Sequence, residues 1–111
     1  MSCSENPQKD ILGKWQLVSV HSVWFSPIDH SQDNIIYEFK DNNTVVVSYD
    51  SSKIEAWPLP GKYSYIFGIP GQDGYGIVVA GENYYDYCVS NNSMFISNIA
   101  VDGAELYFKK L

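Results

Sequence analysis

Short alternations of apolar and polar residues, split by turn-forming clusters, run from Gly13 to the end of the chain. Ile35-Ile36-Tyr37-Glu38-Phe39-Lys40 and Lys62-Tyr63-Ser64-Tyr65-Ile66-Phe67 have the period of two that places successive side chains on opposite faces of a half-buried strand. The pattern predicts eight strands: Lys14 to Val23, Ile35 to Lys40, Thr44 to Tyr49, Gly61 to Phe67, Tyr75 to Ala80, Tyr84 to Val89, Met94 to Ile99 and Ala104 to Lys109. Asp41-Asn42-Asn43, Ser90-Asn91-Asn92-Ser93 and Val101-Asp102-Gly103 are hairpin chemistry, because Asn and Gly tolerate the positive φ of such turns. Strands adjacent in sequence are therefore expected to be adjacent in space.

An eight-stranded antiparallel all-β domain closes into an up-and-down barrel or folds as two packed sheets, and closure leaves no exposed edge. A closed barrel is the expected architecture, with the first and last strands paired and Trp15 buried at its closed end. The inward face predicted from the alternation comprises Ile35, Tyr37, Phe39, Val45, Val47, Tyr49, Tyr63, Tyr65, Phe67, Tyr85, Tyr87, Val89, Met94, Ile96, Leu106 and Phe108. Tyr84 falls on the outer face in that register. Three longer connections, around Pro27, Trp57-Pro58-Leu59-Pro60 and Gly68 to Gly74, supply loops of the kind that form rims and lids.

Residues 1–9 read as a flexible lead-in, and residues 10–111 as one domain, with a short turn of helix at Asp10-Ile11-Leu12. A chain of 111 residues buries about two thirds of its unfolded surface in a single core. Nine Tyr, five Phe and three Trp favour strands. The net charge is -6, and all seven cationic residues are Lys, so there is no basic stripe and no Arg to fork onto phosphates. Nucleic acid is not expected as a partner on those grounds. No apolar run approaches the length of about eighteen residues that a spanning helix needs, so the chain is expected to be soluble.

Candidate chemistry is sparse. His21 and His30, with Asp29 and Asp33, match no standard metal-ligand spacing and read as a solvated loop. Neither Gly-x-Ser-x-Gly nor a Cys-His signature is present, and the glycines from Gly68 to Gly76 precede no helix that would aim amides at a phosphate. No enzymatic activity, cofactor or metal is expected. Tyr63, Tyr65, Tyr84, Tyr85 and Tyr87 form the densest aromatic group, read as core on the inner face and a cross-strand partner at Tyr84. Buried tyrosine hydroxyls need partners, and Tyr37, Tyr63, Tyr65 and Tyr85 are the candidates to line a mouth that takes a small amphipathic or hydrophobic ligand. Trp24-Phe25 and Trp57, where exposed, favour the alternative of a protein-interaction or inhibitor module.

Gly13-Lys14-Trp15-Gln16-Leu17-Val18-Ser19 opening the first strand resembles the start of the lipocalin-like domain of small Bacteroidetes lipoproteins, a branch of the calycin barrels. Ile36-Tyr37-Glu38-Phe39-Lys40-Asp41-Asn42, Gly61-Lys62-Tyr63-Ser64 and Gly103 to Lys109 are similar to further strands of that family. The resemblance implies an indole packed across the barrel base. Full lipocalins carry a helix after the barrel, and here the chain stops at Leu111, which argues against transport of large ligands. Strands of this length give a barrel about 20 Å tall, wide enough for side chains or one small ligand. Cys3 lies in a polar leader, Ser2-Cys3-Ser4-Glu5-Asn6-Pro7, that resembles the mature end of a bacterial lipoprotein. Lipidation of Cys3 is therefore expected, with the domain held in the cell envelope by that anchor alone; the alternative is a cytoplasmic protein whose native start is Met-Ser-Cys. Nothing in the pattern holds Cys3 near Cys88, which reads as an inert thiol in a strand.

Overall fold

The computed structural model describes residues 2–56 and 58–111. Ten strands form one antiparallel sheet: β1 (Gly13–Ser22), β2 (Ile28–Asp29), β3 (Ile36–Lys40), β4 (Thr44–Ser48), β5 (Gly61–Phe67), β6 (Ile77–Val79), β7 (Glu82–Tyr84), β8 (Asp86–Val89), β9 (Ser93–Ser97) and β10 (Ala104–Lys110). Their order is β7-β6-β5-β4-β3-β1-β10-β9-β8, with β2 paired to β1 beside this path. The sheet is nearly closed into a barrel. The expected pairing of the first and last strands is present, with Trp15 opposite Lys110 and Ser22 opposite Ala104.

The count is ten rather than eight for two reasons. A two-residue strand, β2, forms inside the first long connection by pairing Ile28 and Asp29 with Val20 and Ser19. The expected strand from Tyr84 to Val89 is broken at Tyr85: Tyr84 ends β7, which starts two residues earlier and pairs with β6, and the remainder, β8, pairs with β9. One bent stretch therefore serves both margins of the sheet. β7 and β8 share no ladder, and side chains close the seam, with Phe67 and Tyr87 rings 5.3 Å apart, Tyr75 stacked on Tyr87 at 5.4 Å, and the Tyr75 hydroxyl donating to Asp86 over 3.0 Å.

This bend reverses the expected facing of two tyrosines. A two-residue turn at Ala80 and Gly81, both at positive φ (52° and 81°), joins β6 to β7 and sets Tyr84 opposite the buried Ile77. Tyr84 is consequently inward, and Tyr85 is only half-buried at the corner. Most other inward positions follow the period of two: Ile35, Tyr37, Phe39, Val45, Val47, Tyr65, Val89, Met94, Ile96, Leu106 and Phe108 are all buried. Edge-to-face pairs Tyr37–Phe108 and Phe39–Tyr65, with centroids 4.9 and 5.0 Å apart, knit the middle of that core.

The lead-in, expected to be a flexible linker, is fixed to the barrel. Cys3 and Cys88 form a disulfide with Cα atoms 5.0 Å apart, and the Ser4 amide donates to the Val89 carbonyl over 2.6 Å. Cys88 lies on the outer face, between Tyr87 and the core residue Val89, and the lead-in covers it there. The expected separation of the two cysteines is thereby corrected: the intervening chain folds back to the same side of the barrel. A short helix, α1 (Pro7–Asp10), follows, with Pro7 in its first turn, where the missing amide costs nothing. It begins earlier than the turn expected at Asp10 to Leu12. Beyond it, Ile11 is fully buried and its carbonyl accepts the Trp15 indole N–H over 2.7 Å. The Lys110 ammonium lies 4.6 Å from the indole centroid and donates to the Leu12 carbonyl. Trp15 thus plugs one end of the barrel.

Candidate functional site

At the opposite end, the barrel opens into a cavity of about 450 Å³. Stretches far apart in sequence converge there. β1 supplies Leu17, Val20 and Ser22, the loop after it Trp24 and Phe25, and β2 Ile28; β7 supplies Glu82 and Tyr84; and the Asn98 to Leu106 segment closes the circle. Leu17, 2% exposed, and Leu106, 7% exposed, make an apolar floor. Glu55 and Ala56 reach over from the long loop between β4 and β5.

The rim is partly built by hydrogen bonds to backbone. The Trp24 indole N–H donates to the Asp102 carbonyl over 2.9 Å, which clips the β1–β2 loop to the turn before β10. Asn98 donates from its amide to the Asn83 carbonyl over 3.2 Å, and its side-chain oxygen accepts the Ala104 amide over 2.7 Å. Between these clips Trp24 stays 73% exposed, with Val23, Phe25 and Ile28 exposed beside it.

His30 also lines the cavity, in a stretch whose pattern predicts a solvated loop. The structure corrects that expectation because β2 docks on β1: the His30 amide donates to the Val18 carbonyl over 2.7 Å, and the residue is 7% exposed. Its Nδ1 lies 2.8 Å from Asp33 Oδ2. A carboxylate accepts, so Nδ1 carries the proton in this contact. No Ser, Thr or Cys hydrogen-bonds His30 among the described residues, and both cysteines are in the disulfide. Asp29 points elsewhere: it accepts the Ser31 amide over 2.8 Å, and hydrogen bonding from the Ser31 side chain first, then from that amide, holds its carboxyl below the usual range. Among the described residues no three His, Cys, Asp or Glu side chains gather as metal ligands.

The four tyrosines singled out in the sequence do not line this cavity. Tyr65 donates to the Lys40 carbonyl over 2.6 Å and lies against a separate, closed-end cavity of about 290 Å³ with Gln8, Leu12 and Asp41. Tyr63 donates to the Leu59 carbonyl over 2.6 Å and so secures the loop after β4. Tyr85 sits at the β7–β8 corner. Tyr37 is 1% exposed, deep in the core, and its ionisation is disfavoured first by burial and then by the nearby Tyr84. Trp57 lies outside the described residues.

Tyr84 takes the place assigned to Tyr85. It is 8% exposed and lines the cavity. Every fully buried side-chain nitrogen or oxygen among the described residues has a hydrogen-bond partner. The hydroxyls of Tyr37 and Tyr84 have no partner among those residues, so each opens onto space that water or a ligand reaches. Burial pushes both hydroxyls well above the ordinary tyrosine range, with Glu82 adding to the effect on Tyr84, so both stay protonated donors at neutral pH. The Ala80-Gly81 dipeptide was the signal for this residue, since recognising that hairpin fixes Tyr84 opposite Ile77. Compared with known proteins, the chain matches no family profile and no curated sequence.

Proposed function

We propose that this protein is a non-enzymatic binding domain that holds one small amphipathic molecule in the open end of its barrel. The observation that carries the reading is the cavity of about 450 Å³, apolar at its floor and carrying the unpartnered hydroxyl of Tyr84. Volumes of about 300 to 1,000 Å³ with a few convergent polar groups are typical of small-molecule sites. The architecture and the Gly13-Lys14-Trp15 opening support kinship with lipocalin-like domains, whose cavities lie in the barrel interior.

The disulfide supports residence in an oxidising compartment such as a bacterial envelope, because such bonds are rare where thiols are kept reduced. A sulfur bonded to Cys88 cannot also carry a thioether to lipid, so the disulfide form of the protein is not anchored through Cys3.

Calorimetric titration with octanol tests the binding reading, comparing the native chain with Ala104→Trp, which places an indole in the entrance. Binding to the native chain that disappears in Ala104→Trp, while the variant melts as a folded protein, supports it. No heat with the native chain, or equal binding by both, overturns it. A second reading has one specific observation in its favour: Val23, Trp24, Phe25 and Ile28 form a contiguous exposed apolar lip of the kind that docks a protein partner. An apolar lip also suits ligand entry, and the cavity beneath it favours the first reading.

A further inference from the structure

The polar groups of the mouth are of one electrical sign. Glu55, Glu82 and Asp102 line the cavity and are exposed at its rim, whereas none of the seven lysines lines it. The rest of the lining includes the apolar Trp24, Phe25, Val20, Ile28 and Leu106, together with Tyr84 and His30. An apolar body with an anionic head would bring its charge beside three carboxylates, a repulsion that low-dielectric walls strengthen. A cationic head would instead lie between carboxylates and beside the exposed face of Trp24, the side chain best suited to attract a cation through its ring. A neutral polar head gains from neither.

From this arrangement we infer that the ligand is an organic ammonium ion with an apolar body, its head at the acidic rim and its body in the throat. The inference rests on the binding reading above and adds the charge of the ligand to it. The rim carboxylates supply the acceptors an ammonium N–H requires, and Tyr84, a residue 8% exposed whose hydroxyl has no partner among the described residues, lines the same cavity. The net charge of -6 adds a long-range attraction that speeds encounter.

Calorimetric titrations with octylammonium, octanol and octanoate, which share one chain and differ in the head, separate this inference from the binding reading. The expected order is octylammonium tightest and octanoate weakest, with the preference falling as salt is raised. Each of Glu55→Gln and Glu82→Gln, both exposed and outside the core, should reduce the preference for octylammonium over octanol by about threefold, and the pair by about tenfold. Asp73→Asn, which removes an exposed charge away from the mouth, should leave the preference unchanged. Octanol binding with no gain for octylammonium, or a preference that Asp73→Asn lowers as much as Glu82→Gln, overturns the inference and leaves the binding site standing. Failure of all three probes overturns the binding reading itself. A preference that persists in Ala104→Trp marks attraction to the protein's overall charge and also overturns the inference.

Discussion

Cys3 is bonded to Cys88 across 85 positions of sequence, with their Cα atoms 5.0 Å apart, and this bond clamps the amino terminus to the outer face of β8. The clamp holds the chain immediately before α1, Ile11 and the Trp15 plug, so it reinforces the closed end of the barrel. Closing a loop of this length removes about 4.6 kcal/mol of denatured-state freedom in the chain-entropy account. Reduction, or Cys3→Ser with Cys88→Ser, should therefore lower the melting temperature by about 15 °C or more, read in thermal melts with and without dithiothreitol. Alkylation of the native chain before and after reduction checks the pairing: thiols reactive without reductant would contradict it.

Trp15 should be the most sensitive single core position at the closed end. Trp15→Phe retains an aromatic ring but loses the hydrogen bond to Ile11 and part of the volume that α1 and Lys110 cover. The expected cost is about 2 kcal/mol, from the neutral hydrogen bond and the residual gap together. Urea melts give this directly. A loss below about 0.5 kcal/mol, the usual scale of a surface change, would mean that the indole does not plug the barrel.

Alkaline pH should destabilise the fold through two tyrosines. Tyr37 and Tyr84 have folded-state values raised above the ordinary 10.0, chiefly by burial. A raised value means the folded chain holds the proton more tightly than the unfolded chain, so this stability is fully present below pH about 10 and is lost as the pH rises past it. Tyr84→Phe should move the alkaline unfolding midpoint upward. An unchanged or lower midpoint, at equal stability near neutrality, would remove Tyr84 from this account.

Gly76 fixes the position of Tyr84 by close approach. Its φ is +86°, and a Cβ there would stand 2.6 Å from Ile69 Cδ1 and 2.9 Å from the Tyr84 carbonyl oxygen. The isoleucine tip can turn away, but the backbone oxygen cannot do so cheaply, and the φ itself is strained for any other residue. Gly76→Ala should cost about 1 to 3 kcal/mol and weaken octanol binding in the fraction that remains folded. Full stability with full binding would show that the β6–β7 hairpin accommodates the methyl group.

Trp24 should behave in the opposite way. At 73% exposure it contributes little to the core, so Trp24→Ala is expected to change stability by no more than about 1 kcal/mol, most of it from the lost clip to Asp102. Its effect should appear in octylammonium affinity, by calorimetry. A large drop in melting temperature with unchanged affinity would reassign it as a structural residue.

The all-β class, the antiparallel neighbours and most of the inward face are legible in the residues alone, because the period of two and the Asn- and Gly-bearing turns act over a few residues. Tyr37 to Phe39, Val45 to Val47 and Leu106 to Phe108 follow that local rule without correction. Where the rule breaks is set by long-range pairing. The bend at Tyr85 exists because one stretch must pair with β6 on one side and β9 on the other, and neither partner is visible from within residues 82–89. The pairing of Cys3 with Cys88 and the convergence of Glu55, Glu82 and Asp102 on one mouth are likewise set by barrel closure. Closure brings residues together by their height on the barrel wall, whereas alternation records only which face of a strand they occupy.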